Sequence, residues 1–351
     1  MFNWLFNRFS KDIGIDLGTA NTLVYVKDKG IVINEPSVVA INSRTDKILA
    51  IGEDAKKMIG KTPKHIAAIK PLVDGVISDF EITEKMIKYF IERVHENSLS
   101  FFARPRVVID IPLDITEVER KAVEDAVLSG GARKVYLIEE SMASAIGARL
   151  PIEESIGNMI VDIGGGVTEI AVISLGGIVT WKSLKIAGNK LDRDIVQYAR
   201  DEFNLLLGEG VAEDIKKKIG SAGSLKEPLE MQMRGRDLIT GLPKEITVSD
   251  GQIREALARS VKLIIEDIKA VLEVTPPELV ADIYERGMVL SGGGALLKEL
   301  DRVIAKATEI PVRVADDPLT CAVRGTGIVL ENIELLKDII VPSAQSETVI
   351  K

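Results

Sequence analysis

Residues 160–172 read IVDIGGGVTEIAV. A β-rich run ends on Asp162, three glycines turn the chain, and a second β-rich run carries it back. Residues 13–26, IGIDLGTANTLVYV, repeat the pattern: Ile13 to Asp16, a turn at Gly18, then Thr22 to Val26. One offset, 162 − 16 = 146, lays Gly18 on Gly164, Thr22 on Thr168, Val24 on Ile170 and Val26 on Val172. A strand, an acid, a glycine turn and a returning strand therefore occur twice, each opening a stretch of similar length. Such self-similarity predicts two halves of like fold. Small residues at the tips, Gly18, Thr19, Ala20 and Asn21 in one and Gly164, Gly165 and Gly166 in the other, let backbone N–H groups approach an anion closely. Two such hairpins facing one another would clamp a polyphosphate, and Asp16 and Asp162 could reach a hydrated metal on it.

A third glycine run follows the strand-like Met288 to Leu290. Ser291, Gly292, Gly293 and Gly294 lead straight into the helix-forming ALLKELDRVIAKA of 295–307. Strand, glycine turn and helix N-terminus suit the phosphates or sugar of a nucleotide. The run is neither GxGxxG nor GxxxxGK[ST], so Rossmann and P-loop folds lack their fingerprints.

The remainder of the 351 residues narrows the class. Hydrophobic residues make up 46% and charged residues 28%, a globular balance that excludes disorder and low complexity for the bulk of the chain. Forty-five basic against 53 acidic residues give a net charge of −8, which argues against a nucleic-acid partner. A single cysteine, Cys321, excludes an internal disulfide framework, and two histidines make a histidine zinc site improbable chemistry here. Near the start, Phe2, Leu5, Phe6 and Phe9 fall on one helical stripe, with Trp4 beside them. That is the pattern of an interfacial amphipathic segment, too short to anchor firmly unless many copies are linked.

The three glycine motifs IDLGTANT, VDIGGGVTE and VLSGGGALL, in that order, resemble the phosphate-one, phosphate-two and adenosine motifs of the actin-like ATPase superfamily. GIVINEPSVVAI, IAAIKPLVDGVISDFEITEKM, LIEESMASAIGA and ERGMVLSGGGALLKELDRV resemble more narrowly the MreB/Mbl family of bacterial actins, over about Asp12 to Leu330. The resemblance implies an α/β, actin-like ATPase fold: two related βββαβα domains around a nucleotide cleft, each with a smaller inserted subdomain. In this sequence it implies a membrane-binding segment at 1–11, domain IA at 12–34, 77–147 and 322–340, subdomain IB at 35–76, domain IIA at 148–183 and 245–321, and subdomain IIB at 184–244. Local patterns give a helix over Ile82 to Val94 with Thr83 or Asp79 as cap. They also give a strand over Arg106 to Ile111, and a helix over Thr116 to Leu128 with Val118, Ala122, Val123 and Ala126 on its apolar face. Gly130-Gly131 stops that helix, and Ser221 to Pro228 is a loop.

The resemblance also assigns chemistry. Asp16 and Asp162 match the pair that holds hydrated Mg²⁺ against ATP or ADP, and Glu140 matches the water-activating glutamate, with Glu139 its neighbour. Two departures stand out. Glu139-Glu140-Ser141 replaces the family's EEP, and Val167 replaces a threonine that helps to position water. Valine has no hydroxyl, so Thr168 or Glu169 would have to serve, and slow hydrolysis is expected. Gly188, Glu213 and Lys216 match positions lining the nucleoside, with Asp192 a capping acid nearby. Val118 matches an antiparallel contact between protofilaments, and Leu99, Phe101 and Phe102 in SLSFFARP match a membrane-inserting loop.

The function so implied is an ATP-dependent filament, stacked head to tail from copies of itself, on the inner face of the cytoplasmic membrane. It would organise cell-wall synthesis and shape with RodZ, MreC, MreD and the cell-wall elongation machinery. A sugar kinase or a non-polymerising ATPase of the same fold is the alternative. A DnaK-type chaperone would need a substrate domain after Leu330.

Overall fold

The computed structural model describes residues 11–95 and 104–342. The apolar stripe of Phe2, Trp4, Leu5, Phe6 and Phe9, and the loop residues Leu99, Phe101 and Phe102, lie outside the described residues. The chain forms two compact units. The first is built on residues up to Glu154, Leu175–Ile178 and from Leu319 onward, the second on Ser155–Ser174 and Val179–Pro318.

In the first unit, strands Ile13–Leu17, Asn21–Val26 and Gly30–Pro36 form an antiparallel meander. Strand Arg106–Ile111 pairs parallel to Ile13–Leu17 on its other side, and Lys134–Glu139 pairs parallel beyond it. In order along the sheet the strands run fifth, fourth, first, second, third. Every side chain of Ile13–Leu17 is buried, as expected of a central strand covered on both faces. Met86, Ile87 and Phe90 of helix Phe80–His95, with Val123, Ala126 and Val127 of helix Glu117–Ser129, pack into the same core. A separate three-stranded sheet, Lys47–Ile51, Val39–Asn42 and Ile66–Ile69, completes the unit.

The second unit repeats the plan. Asn158–Ile163, Thr168–Ser174 and Gly177–Leu184 form its meander, and Met288–Ser291 and Val312–Val314 add in parallel beside the first strand. Its order is again third, second, first, fourth, fifth. The duplication read from one sequence offset is thus a duplication of topology. Its small sheet is Leu205–Leu206, Glu230–Asp237 and Pro243–Ser249, joined to the main core through Leu205, Met233 and Val248.

Three local readings are corrected. The helix expected directly after Gly294 is delayed: Gly293–Leu296 is a 3₁₀ turn, Leu297 is extended, Glu299 is left-handed at φ 61°, and the α-helix begins at Leu300. Tertiary pairing overrides propensity here. The Lys298 carbonyl accepts from Ala222 N–H at 2.8 Å, and the Lys298 ammonium donates to the Lys217 and Lys218 carbonyls at 3.2 and 2.8 Å. Second, Asp79, not Thr83, caps helix Phe80–His95, its Oδ1 accepting from Ile82 N–H at 3.1 Å. Third, Val118 does not share the buried face of its helix. Val123 and Ala126 are buried as expected, together with Arg120, Glu124 and Val127, and the two charged members widen the stripe beyond what the apolar pattern shows. Thr116 caps this helix by a reciprocal bond with Glu119.

Candidate nucleotide-binding site

In the first unit, strand pairing sets Asp16 opposite Leu23 and Leu17 opposite Thr22, so residues 18–21 form the hairpin tip. Side-chain hydroxyls brace that tip. Ser37 Oγ donates to the Gly18 carbonyl at 2.6 Å and lies 2.9 Å from Thr22 Oγ1, while Ser37 N–H donates to the Ala20 carbonyl at 3.0 Å. Thr19 Oγ1 accepts from Gly75 N–H at 2.9 Å. A Cβ on Gly18 would stand 2.7 Å from the Asn21 carbonyl oxygen, so the tip is closed to any larger residue.

The three parallel strands of this unit carry acids at their carboxyl ends, where open α/β sheets bind ligands. Asp16 ends the first and Asp110 the second, and Glu140 follows the third. Asp110 Oδ1 accepts from Leu17 N–H at 3.1 Å, a buried bond that fixes the start of the tip. Glu140 is the first residue of helix Glu140–Gly147, where the helix dipole favours a carboxylate. Its neighbour Glu139 is extended, and burial pushes its carboxyl above the usual range. The helix lies backbone to backbone against helix Cys321–Glu331. A Cβ on Gly325 would stand 1.9 Å from the Ala143 carbonyl oxygen, and one on Gly147 1.9 Å from that of Cys321.

In the second unit the main chain braces the turn. Gly164 N–H donates to the Val167 carbonyl at 2.9 Å, Gly188 N–H to the Gly164 carbonyl at 3.1 Å, and Asn189 N–H to the Gly165 carbonyl at 2.8 Å. Gly188 therefore joins the glycine turn directly and opens helix Gly188–Phe203. Asp162 pairs with Ser291 across parallel strands, and Ser291 Oγ donates to its Oδ2 at 2.7 Å. Gly292, at φ +77°, has no room for a side chain: a Cβ would sit 2.4 Å from the Ile163 carbonyl and 2.6 Å from Asp162 Oδ1. Gly294 presses on Ile163 in the same way, 2.2 Å from its Cγ2.

Lys216 donates to the Gly188 carbonyl at 2.8 Å and forms an ion pair with Asp192, its ammonium 2.8 Å from Oδ1. Burial pushes the Asp192 carboxyl up, against the pull of the Lys216 ammonium. Glu213 pairs with Lys217 along their helix at 2.6 Å. This unit thus brings together Asp162, the turn at 164–166, Gly188, Lys216, Ser291, Gly292 and Gly294.

Thr168 is fully buried and its hydroxyl donates to the Ile186 carbonyl at 2.6 Å, so its single proton serves the turn. Glu169 is buried opposite Asp162 in the hairpin. Val118 is 79% exposed, which removes it from the core and leaves it available to a partner. Sequence reasoning missed Asp110 and Ser37. Asp110 carried a signal: an aspartate between branched apolar residues ends a strand at 15–17, 109–111 and 161–163 alike. Ser37, distant from the tip in sequence, carried none.

The family described as MreB/Mbl protein matches residues 10–338. The cell shape-determining protein Mbl of Bacillus subtilis strain 168 is 51% identical over 328 residues, covering 93% of this chain and 98% of that protein. The cell shape-determining protein MreB of Escherichia coli K12 is 52% identical over 335 residues, covering 93% and 95%. Among solved structures, MreB5 of Spiroplasma citri bound to ADP superposes with a TM-score of 0.88 at 40% identity, covering 94% of this chain and 98% of that one. The MamK double helical filament superposes at 0.75 with 20% identity and shares the fold.

Proposed function

The chain belongs to the MreB/Mbl family, and from that premise we propose that it is an ATP-dependent filament protein that supports cell shape from the inner membrane face. The observation that carries the reading is the duplicated hairpin, with an acid and a small-residue turn in each unit, joined in the second unit by the 291–294 run. The solved structures of Spiroplasma citri MreB5, bound to ADP and to AMPPNP, favour the same ligand class.

In this reading the backbone N–H groups of 18–21 and 164–166 bind the phosphates. Lys216, Glu213 and Gly188 line the nucleoside, and the tight turn at Gly292 seats it against the sheet. Asp16 and Asp162 would hold Mg²⁺. Their hard carboxylate oxygens fit that ion, and among the described residues no cluster of three or more His, Cys, Asp or Glu competes with them. When bound, the ion neutralises charge on the phosphates. Glu140 orients the attacking water and accepts its proton. Val167 offers no hydroxyl and the Thr168 hydroxyl is spent on Ile186, so Glu140 works with less help and turnover is slow. Copies stack head to tail, a non-closing contact that yields filaments. Val118 lies at the contact between antiparallel protofilaments. Lipid is met by Phe2, Trp4, Leu5, Phe6 and Phe9, and by Leu99, Phe101 and Phe102. RodZ, MreC and MreD are the expected protein partners.

The test pellets the chain with lipid vesicles and ATP-Mg²⁺, images the pellet by electron microscopy and follows phosphate release. A version lacking residues 1–10 runs in parallel. Filaments on vesicles, with binding weakened by the deletion, are expected. Phosphate release without filaments under any nucleotide would leave a non-polymerising ATPase of the same fold.

A further inference from the structure

His95 is the last described residue before 96–103, Lys11 is the first after 1–10, and the two are joined. The His95 ring is fully buried at the end of helix Phe80–His95. Its Nδ1 lies 2.7 Å from the Ile91 carbonyl, and its Nε2 accepts from Lys11 N–H at 3.1 Å. The two partners fix the tautomer. A carbonyl can only accept, so Nδ1 carries the proton, and a backbone N–H can only donate, so Nε2 is bare. The Lys11 ammonium reaches the Val94 carbonyl at 3.5 Å, so the incoming chain closes over the helix end.

We propose that His95 is a neutral two-sided pin that fastens the root of residues 1–10 to the end of helix Phe80–His95, and that a second proton on its ring opens the fastening. The imidazolium would set Nε2–H against Lys11 N–H, two donors head to head. Nothing else in the ring could accept, so the Lys11 bond must break.

The charged surroundings act in both directions. Lys11 is the near cation, and burial together with Lys29 pulls its own ammonium down. Asp12, the near anion, is taken up by Arg106 at 2.7 Å and faces Arg133 at 3.8 Å. On the helix itself Glu92 and Arg93 point outward, and Arg93 pairs with Glu35 at 2.8 Å. Burial, ahead of the Lys11 charge, holds the His95 ring below its ordinary value, while its bond to the Ile91 carbonyl and the charge of Asp12 act the other way; the Lys11 amide, donating to the bare Nε2, favours the neutral ring. A depressed imidazole contributes fully above its unfolded value near ~6.5 and loses that contribution as pH falls through the folded value. The pin is therefore closed at neutral pH and opens on acidification.

The membrane consequence rests on the proposed function. A closed pin fixes where residues 1–10 leave the fold, and an open one lets that point swing. The experiment separates the two claims. Hydrogen exchange of the Lys11 amide, corrected for intrinsic rate, is followed in the full chain from about pH 8 to about pH 5. Protection should fall by up to about tenfold per pH unit between ~6.5, where the released ring titrates, and the ring's lower folded value, and level off below that. His95→Gln, which can accept from Lys11 and cannot titrate, should keep protection flat with pH. His95→Leu should lack it throughout. Flat wild-type protection, or full protection in the Leu variant, overturns the pin; if the Leu variant fails to fold, the wild-type pH series decides alone. In parallel, binding to vesicles of phosphatidylcholine with a minority of phosphatidylglycerol is measured at both pH limits. If Lys11 protection follows His95 but vesicle binding does not respond to deletion of 1–10, the pin stands and the membrane reading fails.

Discussion

The two glycine hairpins share register and topology but are held shut by different chemistry. In the first unit hydroxyls do most of the work, Ser37 and Thr22 behind the tip and Thr19 reaching Gly75, beside one main-chain bond from Ser37 to Ala20. In the second unit main-chain bonds from Gly164, Gly188 and Asn189 predominate, with the Thr168 hydroxyl on the Ile186 carbonyl beside them, and glycines at 292 and 294 let the third run lie directly on strand Asn158–Ile163. A fold duplicated in backbone need not be duplicated in its bracing. The first turn can be tuned one hydroxyl at a time. The second is secured by the absence of side chains and tolerates almost no addition.

The comparison breaks most visibly at Gly292. Gly292→Ala adds a methyl 2.4 Å from a carbonyl oxygen at positive φ, and should cost ~3–5 kcal/mol in urea unfolding, with ATP binding lost. Next comes Glu140→Gln. If Glu140 activates water, single-turnover phosphate release should fall about 10²-fold or more while nucleotide affinity stays within about twofold. Equal loss of affinity would instead make it a helix-terminal acid. In the first unit Ser37→Ala removes one brace, and should cost ~1–2 kcal/mol by denaturation while leaving a measurable, weakened nucleotide affinity. A Ser37 variant as damaging as the Gly292 one would erase the distinction between the turns. The smallest effect on stability is at Val118. Val118→Glu at an exposed helix site should shift stability by less than about 0.5 kcal/mol, yet electron micrographs should show single rather than paired protofilaments.

Much of this was legible in the chain because it depends on local or periodic features. The hairpins announce themselves by acid, glycine and β-branched runs, and their repetition predicts the matching sheets. Glu140 is placed by a strand that ends and a helix that starts. What stayed hidden depends on contacts distant in sequence. The 3₁₀ break before Leu300 follows from Lys298 meeting residues 217–222, and no window around 295–307 contains that information. On helix Glu117–Ser129 the apolar pattern finds buried Val123 and Ala126 but also includes exposed Val118, and it passes over buried Arg120 and Glu124, which look like surface residues. Thr168 shows the same limit at the site: its composition fits a water-positioning role, and only the fold reveals that Ile186 takes its proton.

The contact between helices Glu140–Gly147 and Cys321–Glu331 has no layer of side chains to take up slack at Gly147 and Gly325. Two rods in such contact behave as meshed teeth: neither can slide or roll without carrying the other. The same C-terminal helix also bonds Tyr25 through Glu331 at 2.8 Å, on the strand that returns from the first glycine turn, and the chain beyond it bridges Leu137 through Val341. A reporter dye near residue 331, far along the chain from Glu140, would therefore register any movement of the Glu140 end of its helix. A stiff graft at the same place would jam it.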